Sequence, residues 1–167
     1  DRMGFFDFLK KKKDEDWFNV YSPLNGRVID LSDVPDEAFA QRMVGDGCAM
    51  DPTEGAIYAP VDGECDIFET NHAVSFETPN GLEMIVHFGM DTVALKGEGF
   101  KRVSTSNEVK VGDKLVEYDL NLIKSKVPSV KTPIIINNMD AVEKIDVVAM
   151  GQEVKVGDII MKVLLKK

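Results

Sequence analysis

From Tyr21 onward, short runs of Val, Ile and Phe are broken at close intervals by Gly, Pro, Asn and Asp, and this pattern strongly constrains the fold. Pro23-Leu24-Asn25-Gly26 and Pro60-Val61-Asp62-Gly63 are two such breaks. Short apolar runs bounded by turn residues are typical of strands in a sandwich or barrel, and not of strands that alternate with helices. The sequence therefore predicts an all-β sandwich or barrel.

Helical patterns are few and short: Asp36 to Met43, Asp119 to Lys126, and a turn near Asp140. A chain of 167 residues can bury a good-sized core within one domain. No linker divides the chain. We therefore expect a single domain over residues 20–167, preceded by a flexible segment over residues 1–19.

Two internal echoes suggest that the two halves of the sandwich share one plan. Residues 22–28 resemble residues 59–65, and residues 108–113 recur as residues 153–158. Shared turn chemistry can produce one short match of this kind, because Gly and Asp supply the backbone conformations that turns need. Two matches together predict a related fold in each half.

The composition excludes several classes of function. The net charge is −9, which disfavours nucleic acid as a partner because binding to its backbone depends on Lys and Arg. No apolar run approaches the roughly 20 residues that span a bilayer, and a secretory signal is missing. Cys48 and Cys65 are too few for a disulfide scaffold, so we expect two reduced side chains in a cytoplasmic protein.

The first residues combine an apolar stretch with a basic one. Phe5, Phe8 and Leu9 would line one face of a helix, and Lys10 to Lys13 follow them. Such a segment is suited to weak contact with an anionic membrane surface, and a flexible leader is the alternative. Met3 and the short leader favour a free-standing protein over a domain cut from a longer fused chain.

His72 and His87 are the two histidines of the chain, and they flank one turn, Thr78-Pro79-Asn80-Gly81. Histidine serves as nucleophile, acid, base and metal ligand near neutral pH. If the flanking segments pair as a hairpin, the two imidazoles come close together. They are therefore the leading candidates for a functional site.

Alternation of faces along the strand places His87 outside the core. Leu82, Met84, Val86 and Phe88 share one apolar side, so Ile85 and His87 share the other. On the opposite arm, Thr70, His72, Val74 and Phe76 share a face. If that is also the outer face, apolar side chains surround both histidines.

The hairpin register decides whether the histidines meet. If Thr78 pairs with Gly81, His72 lies opposite His87. A three-residue loop ending in a glycine bulge shifts the register, so that they become diagonal neighbours or occupy opposite faces. The turn sequence permits both registers, and a separation above roughly 8 Å would exclude a paired site.

A pair of imidazoles suits phosphoryl transfer. One nitrogen can attack phosphorus while the other imidazole donates a hydrogen bond to the phosphoryl oxygens. Zinc is the other option, but catalytic zinc usually has three protein ligands, and the sequence has no HxH or HExxH motif. The residues alone favour phosphoryl transfer.

Several motifs closely resemble the glucose-type IIA component of the bacterial phosphoenolpyruvate-dependent sugar phosphotransferase system. They cover about residues 20 to 165 in one colinear order, and the segment after His87 is highly specific. The motifs are Phe68-Glu69-Thr70-Asn71-His72-Ala73, the segment from Val86-His87-Phe88-Gly89 to Gly97-Glu98-Gly99-Phe100, Val34-Pro35-Asp36 with Val44-Gly45-Asp46-Gly47, Val109-Lys110-Val111-Gly112-Asp113, and Asn137-Asn138-Met139-Asp140.

The resemblance implies an antiparallel β-sandwich of the duplicated-hybrid-motif type and a role for each site residue. His87 would carry phosphate on Nε2, His72 would support the phosphoryl group, and Thr70 would orient His72. Asp36 and Asp91 match acidic residues that meet basic groups on partner proteins.

The resemblance also implies an apolar depression that docks donor and acceptor. The matching positions are Phe39, Met43, Val44, Phe68, Ile85 and Val93. Ordinary core is the alternative for Val44 and Val93, whereas we expect Phe39 and Phe68 to be partly exposed. Met43 and Ile85 are the positions at which partner preference would vary.

The implied function is a reversible phosphoryl relay from phospho-HPr to His87 and on to the IIB domain of a IIB/IIC sugar permease. No cofactor is required, although zinc could bind His72 and His87 when a regulatory partner supplies a further ligand. Regulatory target enzymes and a membrane-associating leader are further implications. Glucose, N-acetylglucosamine and other sugars remain open as the sugar served.

A non-enzymatic biotinyl- or lipoyl-like carrier or binding module is the alternative, because Ala59-Pro60-Val61-Asp62-Gly63 also echoes those domains. Such carriers need a lysine at a hairpin tip, typically beside methionine. Met161-Lys162 lies too near the end of the chain to serve.

Overall fold

The structure, a computed structural model, describes residues 17–167, and these residues are built mainly from antiparallel strands. This confirms the predicted all-β class. In chain order the strands are β1 Trp17–Tyr21, β2 Gly26–Ile29, β3 Asp46–Pro52, β4 Ala56–Tyr58, β5 Gly63–Ile67, β6 Ala73–Glu77, β7 Glu83–His87, β8 Phe100–Arg102, β9 Glu108–Val109, β10 Lys114–Tyr118, β11 Thr132–Ile136, β12 Val142–Asp146, β13 Glu153–Val154 and β14 Ile159–Leu165.

The helices are short and begin where the sequence predicts. α1 spans Glu37–Ala40 and α2 spans Leu120–Lys126, and the N-cap side chains are those of Asp36 and Asp119. Helix α1 is shorter than predicted, because the chain reaches a left-handed conformation at Arg42, with φ of 60°. Single 3-10 turns lie at Leu31–Asp33, Thr92–Leu95 and Met139–Ala141.

Strand β1 begins earlier than the predicted domain boundary at residue 20. Trp17, Phe18 and Asn19 fall within the predicted leader, but in the structure they pair with β14. Phe18 packs against the main core, which explains why the ordered sandwich starts here. The rest of the leader, with its predicted membrane-associating face, lies outside the described residues.

The strands form three sheets that enclose one main core. The largest has eight strands in the order β13-β2-β3-β11-β7-β6-β5-β9, and the others are β1-β14-β12 and β4-β10-β8. Core residues from all three sheets, such as Met50, Val86, Val116 and Val163, are fully buried. Cys48 and Cys65 are both free and buried.

A second, smaller core lies on the other face of the large sheet. Leu31 and Val34, from the loop after β2, pack there with Ala49, Met90 and Ile135. Phe39 and Ile85 are partly buried against this cluster. The loop over residues 30–45 is thereby fixed above the outer face of the sheet, beside His87.

The strand order shows that the fold is duplicated. In the large sheet, the four strands counted from one edge correspond to the four counted from the other edge: β13 to β9, β2 to β5, β3 to β6 and β11 to β7. The two small sheets match in the same way, β1-β14-β12 with β4-β10-β8. One half is continuous, from β4 to β10, and it is inserted between β3 and β11 of the other half.

Equivalent hydrogen bonds support this duplication and explain the sequence echoes. Asp62 accepts from the Val111 N–H through Oδ1 at 2.8 Å, and Asn25 accepts from the Val156 N–H at the same distance. In each copy of the Val-Gly-Asp turn, the aspartate side chain accepts a 2.9 Å bond from the preceding lysine N–H: Asp113 from Lys110, and Asp158 from Lys155.

Candidate functional site

His87 ends strand β7 on the outer face, as alternation predicts. Leu82, Met84, Val86 and Phe88 are in the core, whereas Ile85 and His87 are only partly buried. The Nδ1 atom of His87 lies 2.9 Å from the carbonyl oxygen of Gly89. Because a carbonyl can only accept, Nδ1 carries the hydrogen, and Nε2 keeps its lone pair free for reaction.

The turn after His87 requires glycine. Gly89 has φ of +65°, and a Cβ there would lie 2.9 Å from the Ser129 carbonyl oxygen and 3.0 Å from a Thr92 methyl. The buried Thr92 hydroxyl donates to the Phe88 carbonyl at 2.6 Å and fixes the same turn. These contacts hold the carbonyl that sets the tautomer of His87.

The hairpin adopts the second of the two registers left open by the sequence. Ala73 pairs with His87, and Pro79-Asn80-Gly81 forms a three-residue loop with φ of +91° at Gly81. In a regular ladder this register would place His72 and His87 on opposite faces. The conditional expectation that Val74 and Phe76 surround the histidines is wrong, because both side chains belong to the main core.

The histidines nevertheless meet, because strand β6 begins only at Ala73. Asn71 has a left-handed conformation, with φ of 62°, and its N–H closes a turn onto the Phe68 carbonyl at 2.7 Å. This turn interrupts the alternation of faces and directs the His72 ring toward His87. The ring centroids are 4.9 Å apart and the ring planes are nearly perpendicular, at 82°. This separation is below the limit of roughly 8 Å for a paired site.

Thr70 contacts His72 as the resemblance implies. Its hydroxyl oxygen is hydrogen-bonded to Nδ1 of His72. When the hydroxyl donates, His72 carries its hydrogen on Nε2, where it can be offered to a neighbouring group. In that arrangement the two imidazoles have complementary tautomers, one with a free lone pair on Nε2 and the other with a free Nε2–H.

Both imidazoles are held neutral near pH 7. Burial, and secondarily the neighbouring His87, lowers the pKa of His72 to about 4. Burial also lowers the pKa of His87, although the Gly89 carbonyl and the Asp36 carboxylate oppose this change. A neutral His87 can act as a nucleophile without first losing a proton.

Apolar side chains form an exposed surface around the imidazoles. Phe39 lies 5.3 Å from His87 and Phe68 lies 5.7 Å from His72, measured between ring centroids. Met43 is 71% exposed and Val93 is 56% exposed. Val44 and Phe68 are also exposed, whereas Phe39 and Ile85 are partly buried. The core alternative for Val44 and Val93 is therefore wrong.

The two predicted acidic residues occupy special backbone positions. Asp36 caps helix α1 through Oδ1, which accepts from the N–H groups of Ala38 and Phe39 at 2.9 and 3.3 Å. Asp91 is exposed and has φ of 59° at the start of the 3-10 turn. Both carboxylates thus lie on short turns that also carry apolar residues of the surface.

Over residues 17–167, no group of three or more His, Cys, Asp or Glu side chains is arranged to hold a metal ion. No helix in this range is both long and apolar enough to cross a bilayer.

Sequence reasoning missed three residues that shape the site. Gly89 acts through its carbonyl, which contacts His87, and Asn71 acts through its left-handed backbone conformation. Arg102 acts through a side-chain contact to Asn71 from a distant strand. Gly89 and Asn71 stand within the motifs that carry the family resemblance, so they could have been singled out. Arg102 has no local signal that links it to His72.

Comparison with known proteins places this fold and site in a class. Residues 18–142 match the family described as phosphoenolpyruvate-dependent sugar phosphotransferase system, EIIA 1. The matched segment includes both histidines and all the apolar residues around them. The chain therefore belongs to this EIIA family of phosphocarriers in sugar uptake, which confirms the resemblance and does not favour a biotinyl- or lipoyl-like carrier.

Individual relatives are similar over most of the chain. The glucose-specific EIIA component of Haemophilus influenzae is 45% identical over 98% of this chain and all of its own length. That of Halalkalibacterium halodurans is 50% identical over 72% of this chain and 71% of its own. The solved glucose permease IIA from Mycoplasma capricolum superimposes with a TM-score of 0.82 at 42% identity, covering 87% of this chain and 95% of that one.

Proposed function

We propose that this protein accepts a phosphoryl group from phospho-HPr on Nε2 of His87 and transfers it to the IIB domain of a sugar permease. The observation that carries the proposal is the bond from His87 Nδ1 to the Gly89 carbonyl, which leaves Nε2 unprotonated at an exposed apolar surface. The names of the similar proteins favour a glucose permease as the acceptor.

Phosphoryl transfer to His87 needs no cofactor, because the bonds formed and broken balance between donor and acceptor. The lone pair of His87 Nε2 forms a bond to phosphorus while the donor's P–N bond breaks, and that electron pair returns to the donor nitrogen. Because His87 keeps its Nδ1 hydrogen, its phosphorylated ring takes over the positive charge that the protonated donor ring gives up, and no proton has to move. In the second transfer, the Nε2–P bond of His87 breaks as IIB accepts the phosphoryl group, and neutral His87 is regenerated. Catalysis of this kind depends mainly on positioning and on stabilisation of the phosphoryl oxygens.

His72 would supply that stabilisation. The two rings lie 4.9 Å apart between centroids, and Nε2 of His72 carries a hydrogen when Nδ1 accepts from Thr70, so His72 can donate to a phosphoryl oxygen on His87. Because His72 is only 5% exposed, this hydrogen bond would form in a poorly hydrated environment, where it is stronger than in water.

The apolar surface would dock both partners, and the acidic residues would meet their basic groups. Phe39, Met43, Val44, Phe68, Ile85 and Val93 offer no charge to compete with the phosphoryl group. Docking over them also excludes water, which protects the P–N bond from hydrolysis. Asp36 and Asp91 lie where basic side chains of a partner can pair with them.

The proposal is tested by labelling with phosphoenolpyruvate and the general phosphotransferase proteins. His87→Ala should abolish labelling, whereas His72→Gln should still accept phosphate but pass it to IIB about a hundredfold more slowly. Phosphopeptide mapping should place the phosphate on His87. Undiminished labelling of a folded His87→Ala variant would overturn the assignment.

Zinc is proposed only as an optional ligand in a complex with a regulatory partner. Both Nδ1 atoms are engaged in hydrogen bonds, which leaves the two Nε2 atoms as the candidate ligands, and neutral imidazoles are suitable zinc ligands. Two protein nitrogens leave a tetrahedral ion short of ligands, so a partner would have to supply the remainder.

Further parts of the proposal concern location and contacts. We place the protein in the cytoplasm, where phosphoenolpyruvate and HPr are found, and expect no binding to nucleic acid. Regulatory target enzymes would use the same apolar surface. The leader over residues 1–16 would contact anionic lipid weakly, and vesicle sedimentation with and without these residues would test this contact.

A further inference from the structure

Arg102 links two sheets at the edge of the candidate site. It ends β8 in the sheet β4-β10-β8, yet its side chain reaches the segment that joins β5 to β6 in the large sheet. Its Nη2 atom donates to the carbonyls of Ile67 and Phe68, both at 3.1 Å. Its Nε atom donates to Oδ1 of Asn71 at 3.0 Å.

The segment held by Arg102 carries three parts of the site. Phe68 packs edge-on against His72, Thr70 is hydrogen-bonded to its Nδ1, and Asn71 provides the left-handed turn that directs His72 toward His87. Outside glycine, a left-handed residue is uncommon and depends on its surroundings. The bond from Arg102 to Asn71 is one such support.

We propose that Arg102 is a positioning residue for phosphoryl transfer, because it fixes the Phe68–Asn71 turn that sets the orientation and tautomer of His72. The proposal deepens the proposed function and rests on it for its effect on transfer. Its structural part, the ordering of His72, can be measured in the unphosphorylated protein.

The geometry indicates a role for the guanidinium shape in addition to its charge. Three acceptors, two carbonyls and an amide oxygen, surround one planar group, and none of them is charged. A lysine ammonium keeps the charge but cannot present the same planar set of donors. Arg102 is also exposed, so its loss should reorient the turn without unfolding the sandwich.

The test compares Arg102→Met and Arg102→Lys with Lys101→Met as the matched control. Lys101 is the preceding, exposed residue of β8, and its substitution removes the same charge. Two-bond ¹H–¹⁵N spectra of the imidazoles report the tautomer of each histidine, and phosphoryl transfer to IIB is measured in parallel.

In the wild type, His72 should show one tautomer with hydrogen on Nε2. In Arg102→Met, the His72 nitrogen shifts should converge as tautomers mix, while His87 keeps its hydrogen on Nδ1. Transfer to IIB should fall roughly tenfold, because small displacements of positioned groups cost this much or more. Arg102→Lys should resemble Arg102→Met, and Lys101→Met should resemble the wild type.

Three results would overturn the proposal: unchanged His72 shifts in Arg102→Met, wild-type behaviour of Arg102→Lys, or an equal effect of Lys101→Met. Failure of the proposed function is distinguishable, because it would appear as a wild-type protein that is not labelled on His87. The His72 spectra would still report on Arg102 in that case.

Discussion

At the scale of single residues, the neutrality of His72 and His87 makes the stability of the fold depend on pH. His72 is almost completely buried, and its pKa of about 4 lies below the ordinary value of 6.5. Between these two values the unfolded chain binds more protons than the folded protein at this position. The contribution of His72 to stability is therefore complete above pH 6.5 and is lost as the pH falls toward 4.

We predict that His72→Gln reduces this pH dependence. The difference in the free energy of unfolding between wild type and variant should change by up to about 1.4 kcal/mol per pH unit in this window, in the direction that destabilises the wild type on acidification. Urea unfolding at pH 7.5, 6.5, 5.5 and 4.5 measures it. Effects of the carboxylates cancel in the difference, and parallel pH curves would refute the prediction.

Individual residues also show where sequence reasoning succeeds and where it stops. Alternation along an apolar strand was enough to place His87 outside the core beside Ile85, because the pattern is local. The approach of His72 depends on one left-handed residue, Asn71, and on Arg102 from another sheet. Asn71 stands within a motif that could have drawn attention to it, but its backbone angle is set by the turn around it, and the contact from Arg102 has no signature in the neighbouring residues.

At the scale of strands, four glutamates stand directly opposite one another across the large sheet. Glu64 on β5 pairs in register with Glu77 on β6 and with Glu108 on β9, and Glu77 pairs with Glu83 on β7. All four side chains are exposed. Like charges at directly opposed positions destabilise a sheet, so this row is a local cost within an otherwise well-packed fold.

We predict that Glu77→Lys stabilises the protein, because it replaces two repulsive cross-strand pairs with two attractive ones. The gain should be about 1 kcal/mol in the free energy of unfolding at low salt and should shrink as salt is added. Chemical unfolding at two salt concentrations measures both effects. Glu143→Lys is the control, since Glu143 is exposed on β12 at a position without a partner in register; an equal gain there would indicate net charge alone.

The same strands show why the register of the hairpin could not be predicted. Pro79-Asn80-Gly81 suits either a two-residue or a three-residue loop, and both keep Met84 and Val86 in the core. The register depends on which residue pairs with Thr78. In the structure this is Leu82, because the Thr78 N–H donates to the Leu82 carbonyl at 3.0 Å. The hydrophobic pattern of β7 constrains its faces but not the choice between these loops.

At the scale of the whole molecule, the duplicated halves place different residues at equivalent positions. Matching the registers of β6–β7 and β3–β11 aligns His87 with Ile135. Ile135 is fully buried beneath the long loop after β2, whereas the corresponding loop after β5 is short. One half therefore supplies the cover, with Phe39 and Val44, and the other supplies the imidazoles.

We predict that the equivalent acceptors Asn25 and Asp62 respond differently to exchange of amide and carboxylate. Asp62→Asn keeps the oxygen that accepts from Val111 and should change the free energy of unfolding by less than about 0.5 kcal/mol. Asn25→Asp keeps the acceptor for Val156 but replaces the Nδ2 donor, which lies 2.9 Å from the Glu54 carboxylate, with a second carboxylate, so it should cost about 1 kcal/mol. Asp62→Ala and Asn25→Ala remove the acceptor and should each cost about 1 kcal/mol. Thermal or urea unfolding measures all four, and a tolerated alanine at either position would contradict the assigned role.

The insertion of one half within the other has a consequence for synthesis on the ribosome. The half that bears His72 and His87 is continuous, so β4 to β10 can pair as soon as they leave the exit tunnel. Strand β1, by contrast, pairs with β14, which is distant in the sequence, and must wait until that strand has been synthesised. Because long-range pairing is slow, the histidine half is expected to form first, as a template on which the covering half closes.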